Sequence, residues 1–384
     1  MKKTLMLALT AFSLVSCSAP EQIMPTESST VRQEMPPAEE VSFPPEEDRS
    51  YVPLNYPYQK GVWLPYVGFD GYITGRSGNE LRTAVREKLS GLKELGFNTV
   101  YFHVRPFGDA YYSSEIFPPG TLAAEDTDVL AAVIEEAHDM GLSVHAWINP
   151  LRLQSVEEMA ALPDSYITKK WSQDGSGFVR EYGGRYYLVP AFPEVIQLIS
   201  DGVSEIIENY DVDGIHIDDY FYPTTEEYFD SEAFAASGST DLAQWRRDNC
   251  TALVKSIYDT VKAHDSRLLF GISPQGSISA NTDTLYADVV LWSGSPGYCD
   301  YIVPQVYFGF KHETHPFTQT VKEWGSIASD DVALIIGIGA YKTGKPDEFA
   351  GIAGEAEWTD EPDIVERQIQ AVLDSPASGY AIYY

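Results

Sequence analysis

From residue 60 onward, short apolar runs alternate with stretches of helical periodicity. The runs are GVWLPYV (61–67), NTVYFHVRP (98–106), SVHAWINP (143–150), DGIHIDDYFYP (213–223), RLLFGISPQG (267–276), DYIVPQVYF (300–308), ALIIGIGAY (333–341) and GYAIYY (379–384). Each reads as a strand, and helices are expected near 79–95, 127–140, 194–209 and 240–264. Strand–helix alternation predicts parallel α/β architecture, and eight units over about 325 residues predict a (β/α)8 TIM-type barrel with long loops. An open doubly wound sheet is the alternative. It would carry a glycine-rich phosphate turn after its first strand, and none is present. The last run ends the chain with no helix after it, so the barrel reads as truncated at the eighth strand.

Successive strand residues face opposite ways, and here the polar ones share a side. In the second strand Tyr101, His103 and Arg105 oppose Val100, Phe102 and Val104. In the third, His145, Trp147 and Asn149 oppose Val144, Ala146 and Ile148. In the fourth, His216 and Asp218 oppose Ile215 and Ile217, and the sixth sets Gln305 with Tyr307. The apolar sides should pack under helices. The polar sides should point into the barrel near its C-terminal mouth, where catalytic residues of this fold sit.

The segment before the barrel is of a different kind. Met1-Lys2-Lys3 followed by an apolar run from Leu5 to Val15 reads as a secretory signal. The run closes with Leu14-Val15-Ser16-Cys17, similar to a bacterial lipobox, in which the cysteine is diacylated after cleavage. An ordinary signal peptide with an incidental cysteine is the alternative. Residues 18–50 are rich in Pro, Glu and Ser and predict a disordered tether. The expected organisation is a signal peptide at 1–16, a lipidated Cys17 with its linker over 17–58, and a barrel over 59–384. That places the protein in the cell envelope, anchored to a membrane and facing away from the cytoplasm.

Charge narrows the partners. With 26 Lys and Arg against 57 Asp and Glu, the formal charge is −31, which argues against nucleic acid. The three cysteines are too few for a disulfide scaffold, and Cys250 and Cys299 remain either paired or free.

The candidate chemistry gathers at the end of the fourth strand. Asp213 precedes that strand and should close a turn with Gly214. Asp218 and Asp219 should reach the mouth, where adjacent carboxylates repel and one holds its proton more tightly. Glycoside cleavage generally uses two carboxylates. One mechanism makes an Asp the nucleophile, with Asp109 of the loop after the second strand as the acid. The other lets the substrate's own N-acetyl group attack, one Asp orienting the acetamide while its neighbour protonates the leaving group. An adjacent pair suits the second better. Arg105 and Arg152 are candidates for binding a substrate carboxylate, or for an internal salt bridge. Tyr111, Tyr220, Tyr222 and Tyr307 are candidates for stacking on sugars, with Asn149 and Gln305 for hydrogen bonds. His103 and His216, candidates for substrate binding, share the inward parity with His145. Their spacing shows no convergence, so neither a metal nor another cofactor is expected.

At these residues the chain resembles glycosyl-hydrolase-like family 10 of bacterial envelope lipoproteins. The segments are KGVWL (60–64), FHVRPFGDAYY (102–112), HAWINPLR (145–152), DGIHIDDYFYP (213–223), GISPQG (271–276) and VPQVYF (303–308). Gln275 stands where many relatives carry an aromatic residue. The resemblance implies a TIM-type barrel and a glycosidase of peptidoglycan turnover acting on strands stripped of stem peptides. Their free lactyl carboxylates fit Arg105 and Arg152, and their N-acetyl groups fit Asp218–Asp219. A retaining glycosidase acting on another polysaccharide, and a non-catalytic glycan-binding lipoprotein, are the competing readings.

Overall fold

A computed structural model describes residues 51–384. The signal segment, Cys17 and the tether to residue 50 lie outside the described residues. The barrel strands are β1 (Gln59–Leu64), β2 (Thr99–Arg105), β3 (Ser143–Ile148), β4 (Gly214–Ile217), β5 (Leu269–Ile272), β6 (Tyr301–Ile302), β7 (Ala333–Gly339) and β8 (Gly379–Tyr383). They pair in parallel in chain order, and β8 closes the ring on β1 with Gly379 opposite Gln59. Six longer helices surround it: α1 (Gly78–Glu94), α2 (Val129–Asp139), α3 (Pro193–Asn209), α4 (Leu242–His264), α5 (Phe317–Ile327) and α6 (Ile364–Leu373).

Periodicity and capping explain the helices. Leu81, Val85, Leu89 and Leu92 put one buried stripe along α1. Asp128 caps α2 by accepting from Ala131 N at 3.0 Å, and Asp241 caps α4 through Gln244 N at 2.9 Å. The apolar sides of β2, β3 and β4 join these stripes in one core outside the barrel. The inward sides form a second, aromatic cluster that includes Trp63, Tyr101, Trp147 and Tyr301.

Two features were less visible in sequence. Between β3 and α3 the chain inserts a three-stranded antiparallel sheet, Arg152–Ser155, Val179–Tyr182 and Arg185–Leu188. Its hairpin turns on Gly183-Gly184, both at positive φ. A two-glycine loop is a hairpin signal, but strands of four residues give almost no periodicity. Second, residues 51–58, which composition places in the linker, are held against the N-terminal end of the barrel. Buried Asp213 accepts from Tyr51 Oη, Leu54 N and Val144 N, and meets His138 Nε2 at 3.0 Å. Asp213 therefore has the structural role expected of it.

The long β4–α4 loop is tied down by a buried ion pair. Arg246 of α4 and Asp230, both fully buried, meet at 2.6 Å. The same guanidinium donates to Glu226 O at 2.8 Å and Tyr286 Oη at 3.1 Å. Tyr222 packs its ring edge against Tyr286 inside this buried assembly, away from the mouth. Cys250 and Cys299 are free and buried.

Candidate active site

The inward residues form two layers. The lower one seals the barrel. Trp63 Nε1 is a donor only and lies 3.1 Å from His216 Nε2, so that nitrogen accepts. His216 Nδ1 then carries the hydrogen and donates to Tyr301 Oη at 3.1 Å, and Tyr301 donates to His145 Nδ1 at 2.6 Å. Tyr101 stacks on His216 with ring centres 4.4 Å apart. Burial holds the His216 imidazole well below its ordinary pKa, with His145 and His103 adding to the effect, and pushes His145 down to about 4. Both stay neutral at neutral pH. His216, expected to contact substrate, is instead part of the floor: parity gives the facing of a side chain but not its depth.

Above the floor a cleft of about 250 Å³ opens at the C-terminal ends of the strands. His103 lies on Trp147 with ring centres 3.7 Å apart. Trp147 Nε1 donates to Asp218 Oδ2 at 3.0 Å, and Tyr220 N donates to Oδ1 at 3.2 Å. Asp219 is more open and is met by the side chains of Gln305 and Gln275. Burial raises both carboxyls above the ordinary range. The rise is larger at Asp218, where the Asp219 charge adds to burial against the lowering effects of Tyr220 N, Arg152 and Trp147. The pair is therefore unequal, with the proton held more tightly at Asp218.

The walls are aromatic. Tyr307 and Tyr383 stack with centres 6.0 Å apart, and Tyr341 stands edge-on to both. Tyr220, 44% exposed, supports the Arg152 guanidinium 3.9 Å above its ring at the rim. The cleft thus gathers His103, Arg152, Asp218, Asp219, Tyr220, Gln305 and Tyr307, as expected. It adds Trp63, Tyr66, Trp147, Tyr341 and Tyr383 to its lining. Alternation along GYAIYY would have found Tyr383, two residues beyond inward Ala381. Gln275 pairs with Gln305 through an isolated bridge.

Besides His216 and Tyr222, four more expected residues lie outside the cleft. An irregularity in β2 between His103 and Arg105 shifts its register with β3 and turns Arg105 away from the barrel interior. Arg105 is 1% exposed, 4.3 Å from the Phe117 ring centre and against Gly202 of α3. Asp109 accepts from Phe107 N at 2.8 Å within its own turn, and burial pushes it up to about 6. It does not line the cleft. Tyr111 packs edge-on against Phe69 in the outer core. Asn149 is buried, donating to Pro106 O at 3.1 Å beside His103.

The Arg105 site gives a prediction. A Cβ at Gly202 would stand 2.4 Å from Arg105 Nη1 and 2.5 Å from the Phe117 ring. Alanine at a helix interior gains ~1 kcal/mol over glycine, but overpacking costs ~1–3 kcal/mol. Gly202→Ala is expected to lower the urea midpoint despite its better helix propensity.

The chain is similar to known proteins at the level of family, sequence relatives and fold. A family model described as Glycosyl hydrolase-like 10 matches residues 59–359. Glycosyl hydrolase DigH of Escherichia coli is 31% identical over 306 residues, covering 72% of this chain and 68% of that protein. Glycosyl hydrolase YngK of Bacillus subtilis is 32% identical over 297 residues, covering 70% of this chain and 57% of that one. Among solved structures, alpha-L-fucosidase isoenzyme 2 from Paenibacillus thiaminolyticus superposes with a TM-score of 0.52 at 14% identity, over 85% of this chain and 46% of that one. The endo-1,4-beta-mannanase of Rhizomucor miehei gives 0.50 at 12% identity, over 85% of each chain. At these identities the two structures establish the barrel fold alone.

Proposed function

The chain belongs to the glycosyl hydrolase-like 10 family and is a glycoside hydrolase, and from that premise we propose that it cleaves N-acetylated cell-envelope glycan, namely peptidoglycan strands stripped of their peptides. One observation carries the reading. Asp218 and Asp219 are adjacent, unequal in proton affinity, and the only carboxylates lining the cleft among the described residues. Among the described residues, no third carboxylate lines the cleft to act as an enzymic nucleophile. The substrate acetamide fills that role.

In this mechanism Asp218 carries the proton and gives it to the glycosidic oxygen as the bond to the anomeric carbon breaks. Asp219, ionised and held by Gln275 and Gln305, accepts from the acetamide N–H. This directs the acetamide oxygen onto the anomeric carbon and forms a cyclic oxazolinium. Water then adds at that carbon, returning its proton to Asp218, and the configuration is retained. The Tyr307–Tyr383 wall offers flat apolar surface to a sugar face. The anchor at Cys17 would hold the enzyme beside its polymer. No helix among the described residues is long and apolar enough to cross a membrane.

The test is digestion of intact and amidase-stripped peptidoglycan, with products read by mass spectrometry. Sugar fragments from stripped strands alone are the expected result. Equal release from intact strands, or no release from either by folded protein, would overturn the substrate.

A pH prediction follows. Activity falls in acid as Asp219 takes up a proton and falls in alkali as Asp218 loses one. The Trp147 N–H stabilises ionised Asp218. Trp147→Phe should therefore move the alkaline limb of kcat/KM to higher pH.

A further inference from the structure

Phe107 sits between the cleft and the inserted sheet and carries two cations. The Arg152 and Arg185 guanidinium carbons lie 4.8 and 4.0 Å from its ring centre. Phe107 also meets Tyr66 edge-on at 4.9 Å, and Tyr66 and Arg152 both line the cleft. Arg185 is thus one ring behind the cleft wall.

Neither cation is held in a direct ion pair. Among the described residues, no carboxylate comes within the 4.0 Å ion-pair limit of either guanidinium. Glu158 is near enough to attract Arg185, but its carboxylate caps the helix that starts beside Ser155, accepting from Ser155 N at 2.8 Å. Arg152 Nε is buried without a hydrogen-bond partner. Arg185 uses Nη1 on Leu153 O at 2.6 Å. Burial first, and then the Arg152 charge, lower the Arg185 pKa. Each guanidinium lies against Phe107, and Arg152 Nε has no partner, so donor groups remain for bidentate capture of a carboxylate. In a chain of charge −31, this cationic pair is a local exception. Arg152 also adjoins the Asp pair.

We infer that Arg152 and Arg185, stacked on Phe107, form an anion subsite that takes the carboxylate of an acidic amino sugar next to the scissile bond. The inference rests on the glycan reading above and names what selects an acidic strand over a neutral one. Arg185 supplies the second cation that sequence reasoning assigned to Arg105.

The test uses full-length protein carrying Asp218→Asn, which blocks turnover and mimics the protonated acid. Binding of N-acetylmuramic acid and of its neutral methyl ester is measured by calorimetry. The acid is expected to bind ~10–100-fold tighter, the range of one or two charge-assisted hydrogen bonds. Adding Arg185→Gln should bring the acid-to-ester ratio close to one, and Arg185→Lys should keep part of it. A ratio that survives Arg185→Gln in folded protein, or binding of neither sugar, overturns the subsite. Failure of the parent reading looks different: the acid-to-ester preference is present, yet the native enzyme releases no fragments from stripped strands.

Discussion

Asp218→Asn should lower kcat on glycans by ~10²–10⁴-fold, the usual contribution of a general acid, and regain most of it on aryl glycosides whose leaving group departs without a proton. Asp219→Asn should lose activity on both substrates, because acetamide attack is common to them. This split follows from the unequal environments: Asp218 is 4% exposed and bears the stronger upward push, while Asp219 is more open and met by two amides. The opposite split, with aryl rescue at Asp219→Asn alone, would exchange the two roles. Thermal unfolding separates lost chemistry from lost fold. A carboxyl whose folded pKa is raised binds more protons in the native state, so its stabilising contribution is present at low pH. That contribution is lost as pH rises through the folded pKa. Asp218→Asn removes this liability and should raise Tm relative to the native protein more at pH 8 than at pH 4.

The largest stability effect is expected at the buried pair behind the site. Asp230→Ala leaves the Arg246 guanidinium uncompensated among Thr224 O, Glu226 O and Tyr286 Oη. Removing one partner of such a pair costs roughly 3–5 kcal/mol. Urea unfolding should show an unfolding free energy lower by that amount, and kcat should fall as well, because the loop that follows Asp219 is tied down there. Replacing both partners, as Asp230→Leu with Arg246→Met, should recover much of the stability. A cost below about 1 kcal/mol would mean that water reaches the guanidinium and that the loop is held by other contacts.

Much of this architecture could be read from the chain because a β/α barrel writes two periods into its sequence. The four placed helices coincide with those expected to within two residues, and each of the eight strands overlaps its expected run, though the fourth and sixth strands stop six residues short of their runs' ends. The common parity of His103, Trp147 and Asp218 correctly predicts an inward cluster at the mouth. What escaped was local or three-dimensional. One irregularity after His103 removes Arg105 from the cleft, and nothing in FHVRP announces it. Parity does not separate the floor, where His145, His216 and Tyr301 satisfy one another, from the cleft above. Asp109 follows its strand closely enough to look catalytic, yet its turn folds back and consumes the carboxylate on Phe107 N. Gln275 was visible only as a departure from the family pattern; its contact with Asp219 needed the fold.

The central claim is that the Asp218–Asp219 pair works through the substrate's acetamide. The most direct measurement is inhibition of glycan cleavage by a thiazoline analogue of the cyclic N-acetyl intermediate. Competitive inhibition far tighter than substrate binding, and lost in Asp219→Asn, is the result this mechanism predicts. Full turnover in the presence of the thiazoline, by enzyme that cleaves the glycan normally, would contradict it and require a nucleophile from the protein.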